Sequence, residues 1–192
     1  MSHATTIARR EDAVLLVIDV QERLAVAMSR REDVIGLSSK LIRTAALVGA
    51  PVVVTRQYPK GLGDVEPELR EVAESVSSAT SVQWADKVAF DCFAEPTFLS
   101  ALKSTGRRQL VIAGMESHIC VVQTALSALR DGLEVHVVSD ACCSRDASSH
   151  DAVLARLREA GAVITTTESV LYELVGEAGT DEFRDLLRIV KS

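Results

Sequence analysis

A cysteine in the middle of the chain has the local context of a nucleophile. Cys120 lies in the stretch from Gln109 to Gly132, where a short apolar run is followed by a Gly-Met-Glu turn and then by apolar residues at helical spacing. This pattern predicts that Cys120 falls in the first turn of a helix that stops at Gly132. The helix dipole and the free backbone N–H groups there favour the thiolate, which is the nucleophilic form of cysteine. The sequence therefore indicates that a strand, a turn and a helix present a catalytic cysteine.

A nucleophilic thiol needs a group that takes its proton, and Asp19 is the candidate. It follows the apolar run Ala13–Ile18, which has the continuous hydrophobicity of a strand buried on both faces. Ligands of an open α/β sheet bind beyond the carboxyl ends of the strands, so Asp19 and Cys120 are expected at one edge of the sheet. A nearby lysine would hold the carboxylate ionised and stabilise the thiolate. Lys87, which opens the third strand-like stretch, is the candidate lysine.

Buried strands alternate with amphipathic helices along the whole chain. The predicted strands are Ala13–Ile18, Val52–Thr55, a short strand within Trp84–Phe93, Leu110–Ala113, Leu133–Ser139 and Val163–Thr166. The predicted helices are Asp33–Gly49, Glu66–Ser78, Pro96–Ser104, the helix that carries Cys120, Asp146–Ala160, Ser169–Leu174 and Asp181–Val190. This alternation predicts a single α/β domain of three layers, α/β/α, with a mostly parallel, Rossmann-like central sheet. Residues 1–12 are expected to form a loose N-terminal arm, and residues 13–192 the domain.

Composition limits the classes of function. The 192 residues carry a net charge of −6 and no clustered basic stripe, which argues against a nucleic-acid partner. No apolar run reaches the roughly 18–20 residues that span a bilayer, and the N-terminus lacks the apolar segment of a signal peptide. We therefore expect a cytoplasmic protein with no membrane partner. The four cysteines form no CxxC pair, which favours free thiols over a disulfide framework or a zinc site.

Four segments of the chain resemble the isochorismatase-like cysteine hydrolases. They are VLLVIDVQERL (Val14–Leu24), KVAFDCF (Lys87–Phe93), GMESHICVVQTAL (Gly114–Leu126) and DGLEVHVVSDACCSR (Asp131–Arg145). A fifth segment, VTRQYPKGLG (Val54–Gly63), is similar to the subgroup called isochorismatase domain-containing proteins. The resemblance covers nearly the whole chain in the right order, and it implies the fold of that family.

The resemblance also implies roles for individual residues. The family's catalytic aspartate, lysine and cysteine fall on Asp19, Lys87 and Cys120. A cis peptide bond is implied between Met115 and Glu116, and the backbone N–H groups of Glu116 and Cys120 are implied to form an oxyanion hole. In the implied reaction, Asp19 takes the thiol proton, the thiolate attacks a carbonyl carbon, and water activated by Asp19 cleaves the thioester. The implied activity is hydrolysis of a small amide-type C–N bond in an unidentified substrate.

Seven residues are candidates for the wall of the substrate pocket. The two glutamines could contact the substrate, whereas for Leu24 and the aromatic residues a plain role in the core is the alternative. The candidates are Gln21, Leu24, Gln57, Tyr58, Trp84, Phe90 and Met115. We expect a small molecule as the substrate and, because this family often assembles, a homo-oligomer.

The histidines argue against a metal centre. In the nicotinamidase branch of the family, a metal site is built on a D-x-H element after the second strand, with a further histidine. Here that segment is RQYPKGLG and contains no histidine. The four histidines, His3, His118, His136 and His150, lack the required arrangement. We therefore expect no metal, no other cofactor and a substrate other than nicotinamide.

Two alternatives to amide hydrolysis stay open. One is hydrolysis of a vinyl ether, as in isochorismate, which needs an acid and a water but not a thiol. Some family members that perform it lack the cysteine, so the presence of Cys120 favours amide-type hydrolysis. The other alternative is a non-enzymatic interaction scaffold that has retained the three residues.

Overall fold

Six parallel strands form the central sheet in a computed structural model that describes residues 7–192. They are β1 (Ala13–Ile18), β2 (Val52–Gln57), β3 (Val82–Lys87), β4 (Gln109–Met115), β5 (Glu134–Cys143) and β6 (Val163–Thr165). Their order is β3-β2-β1-β4-β5-β6, and every neighbouring pair is parallel. The strand order reverses between β1 and β4, which is where an open α/β sheet binds ligands.

Helices cover both faces of the sheet. They are α1 (Glu22–Ala25), α2 (Arg31–Leu47), α3 (Pro59–Leu62), α4 (Pro67–Ser75), α5 (Pro96–Thr105), α6 (Val122–Arg130), α7 (Ala147–Glu159), α8 (Thr167–Val175) and α9 (Asp181–Lys191). The single-turn helices α1 and α3 are not predicted by the sequence pattern. The expected three-layer α/β/α fold with a Rossmann-like sheet is confirmed. Within residues 7–192, no helix combines the length and apolar character that crossing a bilayer requires.

Two apolar layers pack against the sheet, one on each face. Alternate strand residues enter opposite layers, so that Leu15 joins one layer and Leu16 the other. The first layer, which we call the α2 layer, includes buried residues of α2, α4, α8 and α9. The second, the α6 layer, includes buried residues of α5, α6 and α7, together with Cys120. The two layers therefore separate the surroundings of Cys120 from those of α2.

The third strand ends earlier than the sequence predicts. β3 closes at Lys87, whereas the pattern places Lys87 at the start of a strand that continues through the apolar residues after it. The chain leaves the sheet because the N–H groups of Val88 and Ala89 both donate to Glu95 Oε1, at 2.7 Å each. Lys87 consequently lies at the carboxyl edge of the sheet, beside the end of β1.

The helix after β4 also begins differently from the prediction. A π turn at Ser117–Val121 precedes α6, and the Val121 N–H donates to the carbonyl of Glu116 at 3.3 Å. Turns of this kind are rare and are frequently found at functional sites. Cys120 therefore lies in a widened turn rather than in the first turn of a regular α-helix.

The described part of the predicted N-terminal arm is held against the domain. Of residues 7–12, Ala8 is fully buried, and its N–H donates to a carboxylate of α8 at 2.9 Å. The guanidinium of Arg10 forms an ion pair with Glu182 of α9 at 2.6 Å. The remainder of the predicted arm, residues 1–6, lies outside the described residues.

Candidate active site

Asp19 is fixed at the end of β1 by its neighbour strand. Its φ of 52° is in the left-handed region, which residues other than glycine adopt only where the surroundings hold them there. Its N–H donates to the carbonyl of Thr55 at 3.3 Å, and the hydroxyl of Thr55 donates to Asp19 Oδ1 at 2.7 Å. Both residues are fully buried. The carboxylate is therefore oriented by β2 and leaves Oδ2 for a second partner.

A glycine lets β4 approach the end of β1 closely. Gly114 has a φ of 124°, and a Cβ atom there would lie 2.1 Å from the carbonyl oxygen of Ile18. No larger residue fits without moving one of the two strands. The close approach brings the chain segment that carries Cys120 beside Asp19.

Lys87 contacts both of the other candidate catalytic residues. Its Nζ lies 2.7 Å from Asp19 Oδ2 and 3.4 Å from Cys120 Sγ, and it donates to Gln57 Oε1 at 2.6 Å. The carbonyls of Ala89 and Phe90 lie 3.3 and 3.4 Å away. Burial lowers the pKa of this ammonium, but the negative charge of Asp19 is the main effect that opposes it, and the pKa is raised above its ordinary value.

The surroundings of Cys120 raise the pKa of its thiol above the ordinary value. Burial raises its pKa, the charge of Asp19 raises it further, and the ammonium of Lys87 offsets these effects only in part. The start of the helix was expected to favour the thiolate, and desolvation opposes that effect more strongly than the favourable charges support it. The nucleophile has to be formed by proton transfer during the reaction.

The arrangement permits such a transfer without creating a net buried charge. At rest the set contains a carboxylate, an ammonium and a thiol. If the proton moves from Cys120 to Asp19, it contains a carboxylic acid, an ammonium and a thiolate. Lys87 lies within 3.4 Å of both negatively charged forms, so its charge is compensated before and after the transfer. This geometry can support nucleophilic chemistry with a carboxylate base.

The turn before Cys120 is held by a second set of contacts. The peptide bond between Met115 and Glu116 is cis, as expected from the resemblance. The carboxylate of Glu116 accepts from both the backbone N–H and the Nε of Arg145, at 3.1 and 3.0 Å. The imidazole of His118 contacts the hydroxyl of Ser144 at 2.9 Å. These side chains fasten the turn to the segment that follows β5.

The side-chain amides of the two glutamine candidates form hydrogen bonds with protein groups around the site. Gln57 accepts from Lys87 and donates through Nε2 to the carbonyl of Val88 at 2.6 Å. Gln21 accepts from the N–H of Gln57 at 2.7 Å and donates to the carbonyl of Gly63 at 2.8 Å. Their amide groups are therefore engaged in holding Lys87 and the chain after β2.

Two aromatic candidates lie at the rim of the site. Phe90 places its carbonyl oxygen within 3.4 Å of Lys87 Nζ, and its side chain is exposed. Tyr58 donates its N–H to the carbonyl of Lys87 at 2.8 Å, and its side chain is also exposed. Both are therefore placed where a bound substrate could contact them.

The structure does not bring the other three candidates to the thiol. Met115 is fully buried in the α2 layer, and Leu24 packs against the same layer, on the opposite face of the sheet from Cys120. Trp84 precedes Lys87 by three residues in β3, and strand alternation sends its side chain to the face opposite that of Lys87. It lines a separate cleft with Arg56.

Sequence reasoning missed Thr55 and Glu95. Thr55 is the last residue of an apolar VVVT run and gave no sign of its contact with Asp19 beyond its position at a strand end. Glu95 caps the turn after β3 and fixes the carbonyls that face Lys87. Among residues 7–192, no three or more His, Cys, Asp or Glu side chains are grouped so as to hold a metal ion.

Comparison with known proteins identifies the family. The sequence model described as Isochorismatase domain matches residues 13–169. The chain belongs to the isochorismatase family. Isochorismatase domain-containing protein 2A of Mus musculus is 33% identical to it over 186 residues, which cover 94% of this chain and 84% of the mouse protein. The expected likeness to that subgroup is thus confirmed.

Two solved structures extend the likeness to three dimensions. MAR1 ribonuclease from Caenorhabditis elegans has a TM-score of 0.87 and 31% identity, over 97% of this chain and 93% of that chain. The YcaC gene product from Escherichia coli, described as an octameric hydrolase of unknown specificity, has a TM-score of 0.85 and 25% identity, over 96% of this chain and 90% of that chain. Membership of the isochorismatase family supports hydrolase chemistry for this chain.

Proposed function

We propose that this isochorismatase-family member is a cysteine hydrolase that cleaves a small amide-type C–N bond through a thioester on Cys120. The contact that carries the proposal is the ammonium of Lys87, 2.7 Å from a carboxylate oxygen of Asp19 and 3.4 Å from Cys120 Sγ. A buried carboxylate, ammonium and thiol are costly to hold together, and such groups cluster at functional sites.

The proposed cycle has two halves. In the first, Asp19 accepts the thiol proton, Cys120 Sγ adds to the carbonyl carbon, and the C–N bond breaks as the amine leaves with that proton. In the second, a water molecule gives a proton to Asp19 and its oxygen adds to the thioester. The C–S bond then breaks, the thiolate recovers the proton from Asp19, and a carboxylic acid leaves.

The oxyanion of each tetrahedral intermediate is proposed to bind the backbone N–H groups of Glu116 and Cys120. In the π turn, the first N–H to bond five residues back is that of Val121. The N–H of Cys120 precedes it and belongs to the set at a helix start that the helix itself does not engage. Such donors act most strongly where water is excluded, as at this buried site.

A small molecule is the proposed substrate, although one relative is described as a ribonuclease. The chain carries a net charge of −6, and the cation of the catalytic set is already paired with Asp19. Phosphate backbones are bound by several unpaired lysine and arginine side chains. Incubation with a labelled single-stranded RNA is expected to leave it intact. Cleavage that depends on Cys120 would reject the small-molecule proposal.

The decisive experiment detects the thioester by intact-mass measurement. Wild type, Cys120→Ala and the matched buried-thiol control Cys92→Ala are incubated with a panel of small amides. An acyl adduct and amide hydrolysis are expected for wild type and Cys92→Ala, and neither for Cys120→Ala. Hydrolysis that survives in Cys120→Ala would favour a mechanism that uses an acid and a water but no thiol, as in vinyl-ether hydrolysis. No adduct and no hydrolysis across the panel would favour an interaction scaffold.

We also propose a homo-oligomer located in the cytoplasm. The E. coli relative is described as octameric, and Tyr58, Val88 and Phe90 expose apolar surface at the rim of the site. Four buried free thiols suit a reducing compartment. Light scattering after size-exclusion chromatography is expected to give a multiple of 20.7 kDa. A monomer would contradict the proposed homo-oligomer. Export of a fluorescent fusion from the cell would contradict the proposed cytoplasmic location.

A further inference from the structure

Ser117, the first residue of the π turn, is held by a histidine from α7. Its Oγ lies 2.8 Å from Nδ1 of His150. Ser117 is fully buried, whereas His150 is partly exposed. The histidine lies near the start of α7, where its N–H donates to the carbonyl of Asp146 at 3.2 Å. Since α7 packs against the π turn, this contact joins the turn to a helix that begins after β5.

The position of Ser117 in the chain connects this contact with the proposed oxyanion hole. The two N–H groups of that hole belong to Glu116, directly before Ser117, and to Cys120, three residues after it. In a regular α-helix the N–H of residue 120 would bond to the carbonyl of residue 116. Here the N–H of Val121 donates to that carbonyl, at 3.3 Å. The regular helical bond therefore does not set the direction of the Cys120 N–H, and the side-chain contacts of the turn gain importance.

The side chains on either side of Ser117 are held by groups nearer to solvent. Glu116 pairs with Arg145, whose side chain is 59% exposed. His118 contacts Ser144 at 2.9 Å, and the histidine side chain is 28% exposed. Exposed ion pairs contribute little to holding a structure in place. The contact of the buried Ser117 therefore fixes the middle of the turn, between the two proposed donors.

The imidazole of His150 is suited to a neutral hydrogen bond. Burial lowers its pKa, the charge of Arg30 lowers it further, and Asp151 opposes these effects in part. The ring is therefore uncharged near pH 7, and it adds no cation to the surroundings of the catalytic set. In either neutral tautomer Nδ1 can pair with a hydroxyl, which donates or accepts. These properties favour a role in positioning over a role in charge stabilisation.

We propose that His150 is a positioning residue for the acylation of Cys120. Through Ser117 it aims the N–H groups of Glu116 and Cys120 at the oxyanion of the tetrahedral intermediate. This role rests on the cysteine hydrolase proposed above, and it assigns to α7 a function in one step of that reaction. Formation of the thiolate depends instead on the carboxylate and the ammonium at the ends of β1 and β3. Loss of His150 should therefore affect the reactions that pass through an oxyanion and spare the others.

Two reactions of Cys120 separate the direction of these N–H groups from the state of the thiol. In acylation by p-nitrophenyl acetate, Sγ bonds to the carbonyl carbon and forms an oxyanion, the thiol proton passes to Asp19, the C–O bond breaks and p-nitrophenolate leaves. In alkylation by iodoacetamide, Sγ bonds to the methylene carbon as the C–I bond breaks, iodide leaves, the proton again passes to Asp19, and no oxyanion forms. Intact-mass measurement on the full chain gives both rates, and peptide mapping locates each adduct.

His150→Ala is expected to slow acylation by about tenfold or more and to leave alkylation unchanged, since outright loss of one oxyanion donor costs about 10²–10³-fold. His150→Asn, whose amide can occupy the position of Nδ1, is expected to restore most of the acylation rate. Ser117→Ala should lose as much as His150→Ala, and the double variant no more, because the two residues act through one contact. The control Arg156→Ala, exposed on the same helix, is expected to match wild type in both reactions.

Three results would overturn the role of His150. One is acylation of His150→Ala at the wild-type rate. Another is an equal slowing of acylation and alkylation, which would indicate a general effect on the fold or on the thiol. The third is a wild type that iodoacetamide alkylates but p-nitrophenyl acetate does not acylate at Cys120. That result would reject the cysteine hydrolase itself, whereas the first two would leave it standing.

Discussion

Cys120 and the two β5 thiols, Cys142 and Cys143, are buried at the carboxyl edge of the same sheet, but the groups around them differ. Cys120 contacts the ammonium of Lys87 at 3.4 Å, with Asp19 beyond it. Cys142 is fully buried at the end of β5, and its thiol points to the carbonyl of Ile112 at 3.7 Å. Burial raises the pKa of both thiols above the ordinary value.

The comparison shows that a lowered resting pKa and nucleophilic reactivity are separate properties of a cysteine. A lowered resting pKa is the usual sign of a reactive cysteine, and neither region shows it. What distinguishes Cys120 is a carboxylate that can take its proton and an ammonium that stays beside the charge left behind. Reactivity at this site is therefore a property of the group of three, whereas the thiols of β5 have burial without a relay.

The largest expected effect is the loss of the proton acceptor. Asp19→Asn should slow acylation of Cys120, by any amide that wild type hydrolyses, by about 10²–10⁴-fold, because general-base catalysis is lost. Intact-mass measurement against time gives the rate. The matched control is Asp140→Asn in β5, whose carboxylate caps Thr167 and is expected to leave the rate unchanged. Equal losses in the two variants would erase the distinction between the two regions.

The next effect is on folding stability. Lys87→Met should lower the free energy of unfolding by about 3–5 kcal/mol, because it leaves the carboxylate of Asp19 buried without its partner. Urea denaturation measures the change. Restoring neutrality with Asp19→Asn in the same chain should recover part of it. The surface pair of Arg184 with Asp181 supplies a control, since Arg184→Met should cost no more than about 1 kcal/mol.

A smaller effect is expected at Thr55. Thr55→Val keeps the shape of the side chain but removes the hydroxyl that donates to Asp19 Oδ1 at 2.7 Å. A hydrogen bond to a charged group contributes about 1.5–3 kcal/mol, so the free energy of unfolding should fall by that amount. Urea denaturation with Thr44→Val as the control tests this, since the buried Thr44 hydroxyl has no partner in the described chain. Equal losses in the two variants would assign the effect to the substitution itself.

Thr55 also shows where sequence reasoning stops. The apolar runs locate most strands, because a strand of a parallel sheet is buried on both faces whatever its neighbours are. The contact of Thr55 with Asp19 depends on the register of β1 against β2, which pairs Ile18 with Thr55. Nothing in either segment alone encodes that register. Asp19, Lys87 and Cys120 were candidates because of where each lies in the pattern of strands and helices, but the resemblance, and not their spacing, links them as one set.

The residue at which β3 ends could not be predicted from the sequence. Lys87 closes the strand because Glu95 captures the next two N–H groups, a contact formed by a side chain eight positions later. Trp84 was a candidate for the pocket wall, with a plain role in the core as the alternative. The alternation that removes it from the pocket follows only once the strand is known to include both residues.

The smallest expected effect is a pH dependence of folding stability, which should be similar for Cys120 and for Cys143. A thiol whose pKa is raised in the folded state keeps its proton when the unfolded thiol has lost it. Its contribution to stability is therefore complete below the ordinary thiol pKa of 9.0 and is lost as the pH rises toward the folded value, which for Cys143 is about 11. Between these values each thiol should lower the free energy of unfolding by about 1.4 kcal/mol per pH unit. Urea denaturation near pH 8 and pH 10 should give a shallower dependence for Cys143→Ala and for Cys120→Ala, by similar amounts. A pH dependence that becomes steeper in Cys120→Ala would mean that the pKa of Cys120 is lowered in the folded state, and the proton relay through Asp19 would then be unnecessary.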